Sequence, residues 1–375
     1  MKKIKSIKLK KRYINILKFI GILLCILLGI FIFYRKEIAD LTKYGYSEEA
    51  SRNILFAFKK DYVLSKGENK TLNAAFESKY FNEKYLDRYA RIEYVKQKNL
   101  IKNINKLIKI GYSNDDIELI LTHGDDSAVT RFTKRDKVKY LDEFFSIDYA
   151  KLDNYDRYVK FSDETGEDND YVVLYVNLNL DKEDYTDSVC VNKFSYDMLI
   201  NKHRFLSKDF VPDNLEKINS EYSNGNDLKA NKVAVNAFIA MAQDASRNGL
   251  SLVINSAYRS YSEQERIVDT YKNLYGDDYV NKYVARPGYS EHQTGLSFDI
   301  GSKNSNIFSN SKEYQWILNN SYKYGFIHRF PKNAEDITGI SNEPWHFRYV
   351  GKKIAKIIYE NKMTLEEYYV KYLDK

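Results

Sequence analysis

The chain has 375 residues, 43% of them hydrophobic and 15% aromatic, enough for two or three domains with cores of their own. Its formal charge of +7 sits at one end: Lys2, Lys3, Lys5, Lys8, Lys10, Lys11, Arg12 and Lys18 carry it, leaving about −1 for the rest. That distribution excludes a basic nucleic-acid-binding body.

Residues 1–18 read as a basic tail on the cytoplasmic side of a membrane. "FIGILLCILLGIFIFY" (19–34) has no charge, and extending back to Tyr13 gives a span of bilayer length with Lys18 snorkelling. No small-residue cleavage site follows, so 13–34 reads as an uncleaved, single-pass signal-anchor. The lipid bilayer is then a partner, and everything beyond about residue 36 lies outside the cell membrane. Cys25 falls in the span and Cys190 far beyond it, which leaves no intrachain disulfide.

Residues 38–161 contain an internal repeat. "LTKYGYSEE" (41–49) returns as "LIKIGYSND" (107–115), and "YLDRY" (85–89) as "NYDRY" (154–158). Each Gly-Tyr-Ser turn predicts a helix capped by Ser47 or Ser113, which gives two helical units. Without a cluster of reactive residues, the region reads as a stalk or a docking module for the wall or a protein. "SDETGEDND" (162–170) reads as an acidic linker.

The texture changes from Tyr171 to the end at 375. "YVVLYVNLNL" predicts a strand, 228–249 a helix stopped by Gly249, and "LSLVINSAYRS" a strand. Ser262 with Glu265 predicts a capping box for the next helix. "SKEYQWILNNSYKYG" reads as a helix, "FIHRF" and "PWHFRYVG" as strands, and a last helix starts near Lys352. Interleaved helices and short strands predict an α+β class with a small, mostly antiparallel sheet.

Within "PGYSEHQTGLSFDIGS" (287–302), Leu296, Phe298 and Ile300 alternate onto one strand face, and Ser297 and Asp299 onto the other. Asp299 therefore points to a surface or cleft. His292, in the loop before it, can converge with it on a metal ion, but zinc takes three protein ligands at a catalytic site. His123 and His203 read as surface histidines, and His328 as a strand histidine. His346, in "NEPWHFRYVG", lies three residues after Glu343 across Pro344, which stiffens the turn and holds the carboxylate near the imidazole. A carboxylate near a metal but not bound to it suits a general base.

"SAYRSYSEQ", "ARPGYSEHQTGLSFDIGS", "GFIHRFP", "TGI" and "EPWHFRYVG" occur in an order and spacing that resemble the zinc D-alanyl-D-alanine carboxypeptidases. Within these, the resemblance is to the vancomycin-resistance-type D,D-carboxypeptidases and related L,D-carboxypeptidases, over about residues 195–365. It implies the hedgehog/DD-peptidase-like form of the fold and one Zn2+ per chain. By position, His292, Asp299 and His346 match the zinc ligands and Glu343 the catalytic base. Arg259 matches the arginine that steadies the substrate carbonyl or oxyanion, and Gln264 and Ser290 match residues lining the substrate cleft. The implied reaction removes the C-terminal D-amino acid from peptidoglycan stem peptides. An L,D-carboxypeptidase acting on tetrapeptide stems, or a non-catalytic wall-binding protein, would share most of these residues.

Overall fold

The computed structural model describes residues 2–224 and 227–374, which divide into two units. The first runs to Ser146 and includes Ala150–Tyr155; the second comprises Ile147–Tyr149 and everything from Asp156.

The first unit is helical. Helix α1 (Lys2–Lys43) is long and apolar enough from Tyr13 onward to cross a bilayer, and its large apolar side chains between Tyr13 and Tyr34 are exposed. Left in water, such a surface would cost about 25 cal/mol per Å². Beyond it, Ile38 and Leu41 are buried, the chain turns at Gly45 (φ +92°), and α2 (Glu48–Phe56) packs back on α1. Ser47 caps α2 by accepting from the Ala50 N–H; in the second copy of the motif, Ser113 forms a full capping box with Asp116. A short helix, α3 (Lys60–Lys66), follows α2.

The two Asp-Arg-Tyr segments also keep equivalent contacts. Arg88 donates to the Tyr112 carbonyl (2.8 Å) and Arg157 to that of Val176 (3.0 Å). Tyr89 and Tyr158 are both fully buried. The second copy, however, belongs to the second unit, as does the helix that follows it, Asn169–Asn177. Residues 171–180 do not form the expected strand: Asn169–Asn177 is a helix, capped by Asp168 and burying Val172, Val173, Leu174 and Val176. A helix buried on most of its surface carries the same dense β-branched composition as a central strand, so burial overrides propensity here. The acidic stretch 162–170 spans the last turn of the helix Tyr155–Thr165 and the cap of this next one. Asp170 accepts from Tyr149 (2.6 Å), and Tyr171 donates to Asp336 (3.1 Å), so both tie the segment into the second unit.

The second unit is α+β. Two short pairs come first: β1 (Val189–Cys190) with β2 (Arg204–Phe205), then β3 (Leu215–Lys217) with β4 (Lys229–Asn231). The main sheet contains β5 (Leu252–Ser256), β6 (Ser297–Ser302), β7 (Phe326–His328) and β8 (His346–Tyr349), in the order β5-β6-β8-β7 and antiparallel throughout. Leu296, Phe298 and Ile300 turn inward with Val235, Phe238 and Met241 of the helix Lys232–Arg247; the Phe238 and Phe298 rings meet edge to face at 5.9 Å. The helix after β5 starts at Tyr261 and is capped by Ser260 with Glu263, two residues earlier than expected. Both Ser-x-x-Glu pairs satisfy the pattern; the earlier one wins where the Arg259 N–H is held by the His292 carbonyl (3.2 Å). Cys25 and Cys190 are both free thiols.

Candidate metal centre

His292 lies in a 3₁₀ turn, Glu291–Thr294, that ends at Gly295 in the left-handed region (φ +67°). A Cβ at Gly295 would come within 3.3 Å of the Asn231 backbone nitrogen, so the tight turn delivers the chain into β6 directly after the histidine. Asp299 on β6 pairs in register with His346 on β8. Local turn and sheet register together bring three side chains to one point.

The His292 Nδ1 hydrogen-bonds the Ala257 carbonyl at 2.7 Å, which leaves Nε2 as the free donor atom. That Nε2 is 3.5 Å from Asp299 Oδ1, and His346 Nδ1 is 3.4 Å from the same oxygen. All three ligand atoms fall within 4.8 Å of one another. Tetrahedral coordination with bonds of about 2.0–2.2 Å sets neighbouring donors about 3.4 Å apart. Asp299 Oδ1 is also buried without a hydrogen-bond partner, an arrangement that costs free energy unless a cation fills the gap. Two imidazoles and one carboxylate, at these separations, fit zinc.

The charges follow from the crowding. Burial opposes ionisation of Asp299, but His292 and His346 hold its carboxyl far below the ordinary range. Burial pushes His292 down. It also opposes a proton on His346, yet the carboxylates of Asp299, Glu291 and Glu343 around the ring raise that imidazole to about 9. In a metal site, the ion takes the place of that proton.

Glu343 stands beside the donors without joining them, its Oε2 3.4 Å from His346 Nδ1. Burial pushes its carboxyl above the usual value. Its backbone is fixed at both ends: the N–H donates to Phe330 (3.1 Å), and the carbonyl accepts from the His346 N–H (3.2 Å). The same carbonyl lies 3.0 Å from His328 Nε2, and burial drives that imidazole down to about 4, so neutral His328 is the donor. His328 thus braces the Glu343 turn from outside the donor cluster.

Arg259, just past β5, donates to Gln264 Oε1 (2.8 Å) and Ser256 Oγ (3.3 Å). Gln264 in turn donates to the Ala285 carbonyl (2.7 Å), which makes it a bracket for the guanidinium. Ser290 is buried at the start of the His292 turn. Arg259, Gln264, Ser290, Glu343 and the three donors all line one cleft of about 520 Å³, together with Tyr289, Phe330 and the exposed Trp345.

Sequence reasoning missed Glu291. It is buried and accepts from Arg329 Nε (2.8 Å), Arg348 Nη1 (3.0 Å) and, through its other oxygen, Ser297 Oγ (3.1 Å). That second oxygen is 3.4 Å from His346 Nε2, so Glu291 orients the imidazole from behind. Arg329 also clasps Glu366 through two contacts, at 2.8 and 2.5 Å. The available signal was three charged residues, Glu291, Arg329 and Arg348, each on an otherwise inward-facing segment. His203, expected at the surface, is buried at 2% exposure, its Nδ1 3.3 Å from the Thr186 carbonyl. His123 is half-buried in the first unit, its Nδ1 2.9 Å from Leu119 O.

Residues 227–352 match the family model described as VanY: D-alanyl-D-alanine carboxypeptidase. The chain is 42% identical over 181 residues to the carboxypeptidase homologue YodJ of Bacillus subtilis, covering 46% of this chain and 66% of that protein. It is 38% identical over 147 residues to a D-alanyl-D-alanine carboxypeptidase of Enterococcus faecalis, covering 36% and 54%. In both cases the match spans less than two thirds of the relative's length. Among solved structures, the LdcB LD-carboxypeptidase is 38% identical over 50% of this chain and 92% of its own, with a TM-score of 0.46. The vancomycin-resistance D,D-pentapeptidase VanY, solved with Zn(II), is 32% identical over 46% and 98%, with a TM-score of 0.41.

Proposed function

This chain belongs, through its second unit, to the VanY family of D-alanyl-D-alanine carboxypeptidases, and on that premise we propose that it is a membrane-anchored zinc carboxypeptidase removing the C-terminal D-amino acid from peptidoglycan stem peptides. The observation that carries the reading is the convergence of His292 Nε2, Asp299 Oδ1 and His346 Nδ1 around an otherwise orphaned buried oxygen, with Glu343 beside them and outside the donor set.

His292, Asp299 and His346 would hold a zinc ion, which would supply Lewis acidity to the scissile carbonyl and activate water for attack. Glu343 takes the proton of the attacking water and delivers it to the departing amine, as the new C–O bond forms and the C–N bond breaks. Its raised carboxyl suits both halves of that transfer. Arg259 offers planar N–H donors to the oxygen on which negative charge develops, and Gln264 keeps the guanidinium aimed. Tyr289, Phe330 and Trp345 form apolar walls that shelter the peptide from bulk water.

The apolar stretch of α1 supports a single-pass anchor, with the basic tail in the cytoplasm and the second unit outside, where stem peptides are found. The test is to incubate the full chain, zinc-loaded in detergent, with pentapeptide and tetrapeptide stems and to identify the amino acid released. Release of the terminal D-residue from the pentapeptide supports the reading. Cleavage of the tetrapeptide alone shifts it to an L,D-carboxypeptidase. Binding of wall fragments without release of either residue leaves a wall-binding protein and sinks the enzymatic proposal.

A further inference from the structure

Helix α2 ends in a Schellman motif: the Phe58 N–H donates to the Leu55 carbonyl (3.1 Å) and the Lys59 N–H to that of Ile54 (3.0 Å). The residue at the left-handed position of that motif is Phe58, at φ +56°, where glycine is the favoured choice and a bulky side chain is an outlier. No packing compensates. Phe58 is 94% exposed and Phe56 85%, more than any other large apolar side chain among the described residues.

Their place in the first unit is informative. After the turn at Gly45, α2 runs back along α1. The Tyr34 hydroxyl donates to the Arg52 carbonyl (3.3 Å), and Glu37 pairs with Lys60. Arg52 therefore sits beside the last turn of the apolar run, and Phe56 follows one helical turn later on α2. A second ion pair, Lys59–Glu83 at 2.5 Å, anchors the turn on its other side. Tyr34, the last residue of the segment read as the membrane anchor, and Glu37 just beyond it thus hold the stretch that carries the two rings.

We infer that Phe56 and Phe58 dip into the interfacial layer of the bilayer beside α1, giving the first unit a second point of membrane contact. Aromatic side chains are favoured at that depth, and an apolar tip next to a spanning helix gains area there that water denies it. Two contacts fix the tilt of the unit against the membrane, which a single helix would leave free. The inference rests on α1 being inserted.

The experiment uses the full chain in phosphatidylcholine vesicles with brominated acyl chains, carrying Phe56→Trp, Phe58→Trp or, in the span itself, Phe31→Trp. Emission is read against the background of Trp316 and Trp345 in the parent chain. The expected result is blue-shifted added emission at 56 and 58 that loses most of its intensity to shallow bromine, with Phe31→Trp quenched by deep bromine. Quenching at 31 with none at 56 and 58 overturns the inference and leaves the anchor standing. A blue shift at 56 and 58 without quenching means that protein covers the tip, and also overturns it. No quenching at any position removes the anchor and the inference together.

Discussion

Asp299 Oδ1 and His346 Nδ1 face each other at 3.4 Å across the β6–β8 pair, held there by strand register and not by any hydrogen bond to that oxygen. An unpaired buried carboxylate oxygen at that register position suits a bound cation. The protein is accordingly expected to purify with about one zinc per chain. Asp299→Ala should abolish stoichiometric binding while the sheet survives, because the Phe298–Phe347 pairing is untouched. Metal analysis and circular dichroism on the variant check both halves; full activity after exhaustive chelation would sink the metal reading.

Glu343 separates base from ligand. Glu343→Gln keeps the turn built by the Phe330, His346 and His328 contacts and should retain zinc, while kcat falls by roughly 10²–10⁴-fold. His346→Ala should lose zinc as well as turnover. Metal content beside kcat in the two variants decides; loss of zinc only in Glu343→Gln would reverse the assignments.

Glu291 supplies a stability prediction. Arg348 has no other carboxylate within ion-pair distance among the described residues, and both groups are buried. Glu291→Gln keeps the shape but strands that charge, which typically costs about 3–5 kcal/mol. It also removes the carboxylate behind His346, a loss that commonly weakens metal binding by about 10–100-fold. Urea unfolding and zinc competition measure the two effects separately. Unchanged stability would mean that Arg348 is satisfied by the Met198 and Tyr196 carbonyls alone.

What the sequence made legible and what it hid divide along a physical line. Strand alternation put Asp299 on the face opposite Phe298, and Pro344 tied Glu343 to His346; both signals are local. Glu291 is intelligible only through Arg329 and Arg348, residues distant in the chain that the sheet brings to it. The helix Asn169–Asn177 was hidden for the opposite reason: its local pattern is that of a strand, and only its burial on most sides makes it a helix. At Ser260 and Ser262 two identical capping signals compete, and a tertiary contact to Arg259 decides between them.

Arg259→Lys keeps the positive charge and loses the planar set of donors. It should lower kcat/KM by an amount on the order of 2–4 kcal/mol in transition-state stabilisation, with zinc content unchanged. Gln264→Ala leaves the guanidinium intact but unbraced and should produce a smaller loss in the same direction. Near-normal kinetics in Arg259→Lys would make Arg259 a structural residue.

The last prediction concerns where the catalytic unit begins. Among the described residues, those lining the cleft run from Tyr185 to His346 and belong to the second unit. The second unit nonetheless starts well before the cleft. Tyr158 is fully buried and donates to Asn177 (2.5 Å), and Arg157 Nε donates to Asp181 (2.9 Å). A chain running from Ile147 to the C-terminus, which keeps Tyr149 and its hydrogen bond to Asp170, should therefore fold and cleave a soluble stem peptide with kcat/KM within a few-fold of the full chain. A chain starting at Tyr171 removes the Tyr158 ring, and the Asp168 cap and first two residues of the helix it packs on. Deleting one buried aromatic costs about 3–5 kcal/mol, a large share of the stability of a domain. The shorter chain should melt well below the longer one, with whatever remains folded keeping its zinc. Melting temperature, zinc content and kcat/KM on the two chains make the comparison. If the Ile147 chain folds and binds zinc but is a hundredfold slower on the short peptide, the helical repeats take part in catalysis. If the Tyr171 chain is as stable as the Ile147 one, the helix Tyr155–Thr165 is not part of the catalytic unit.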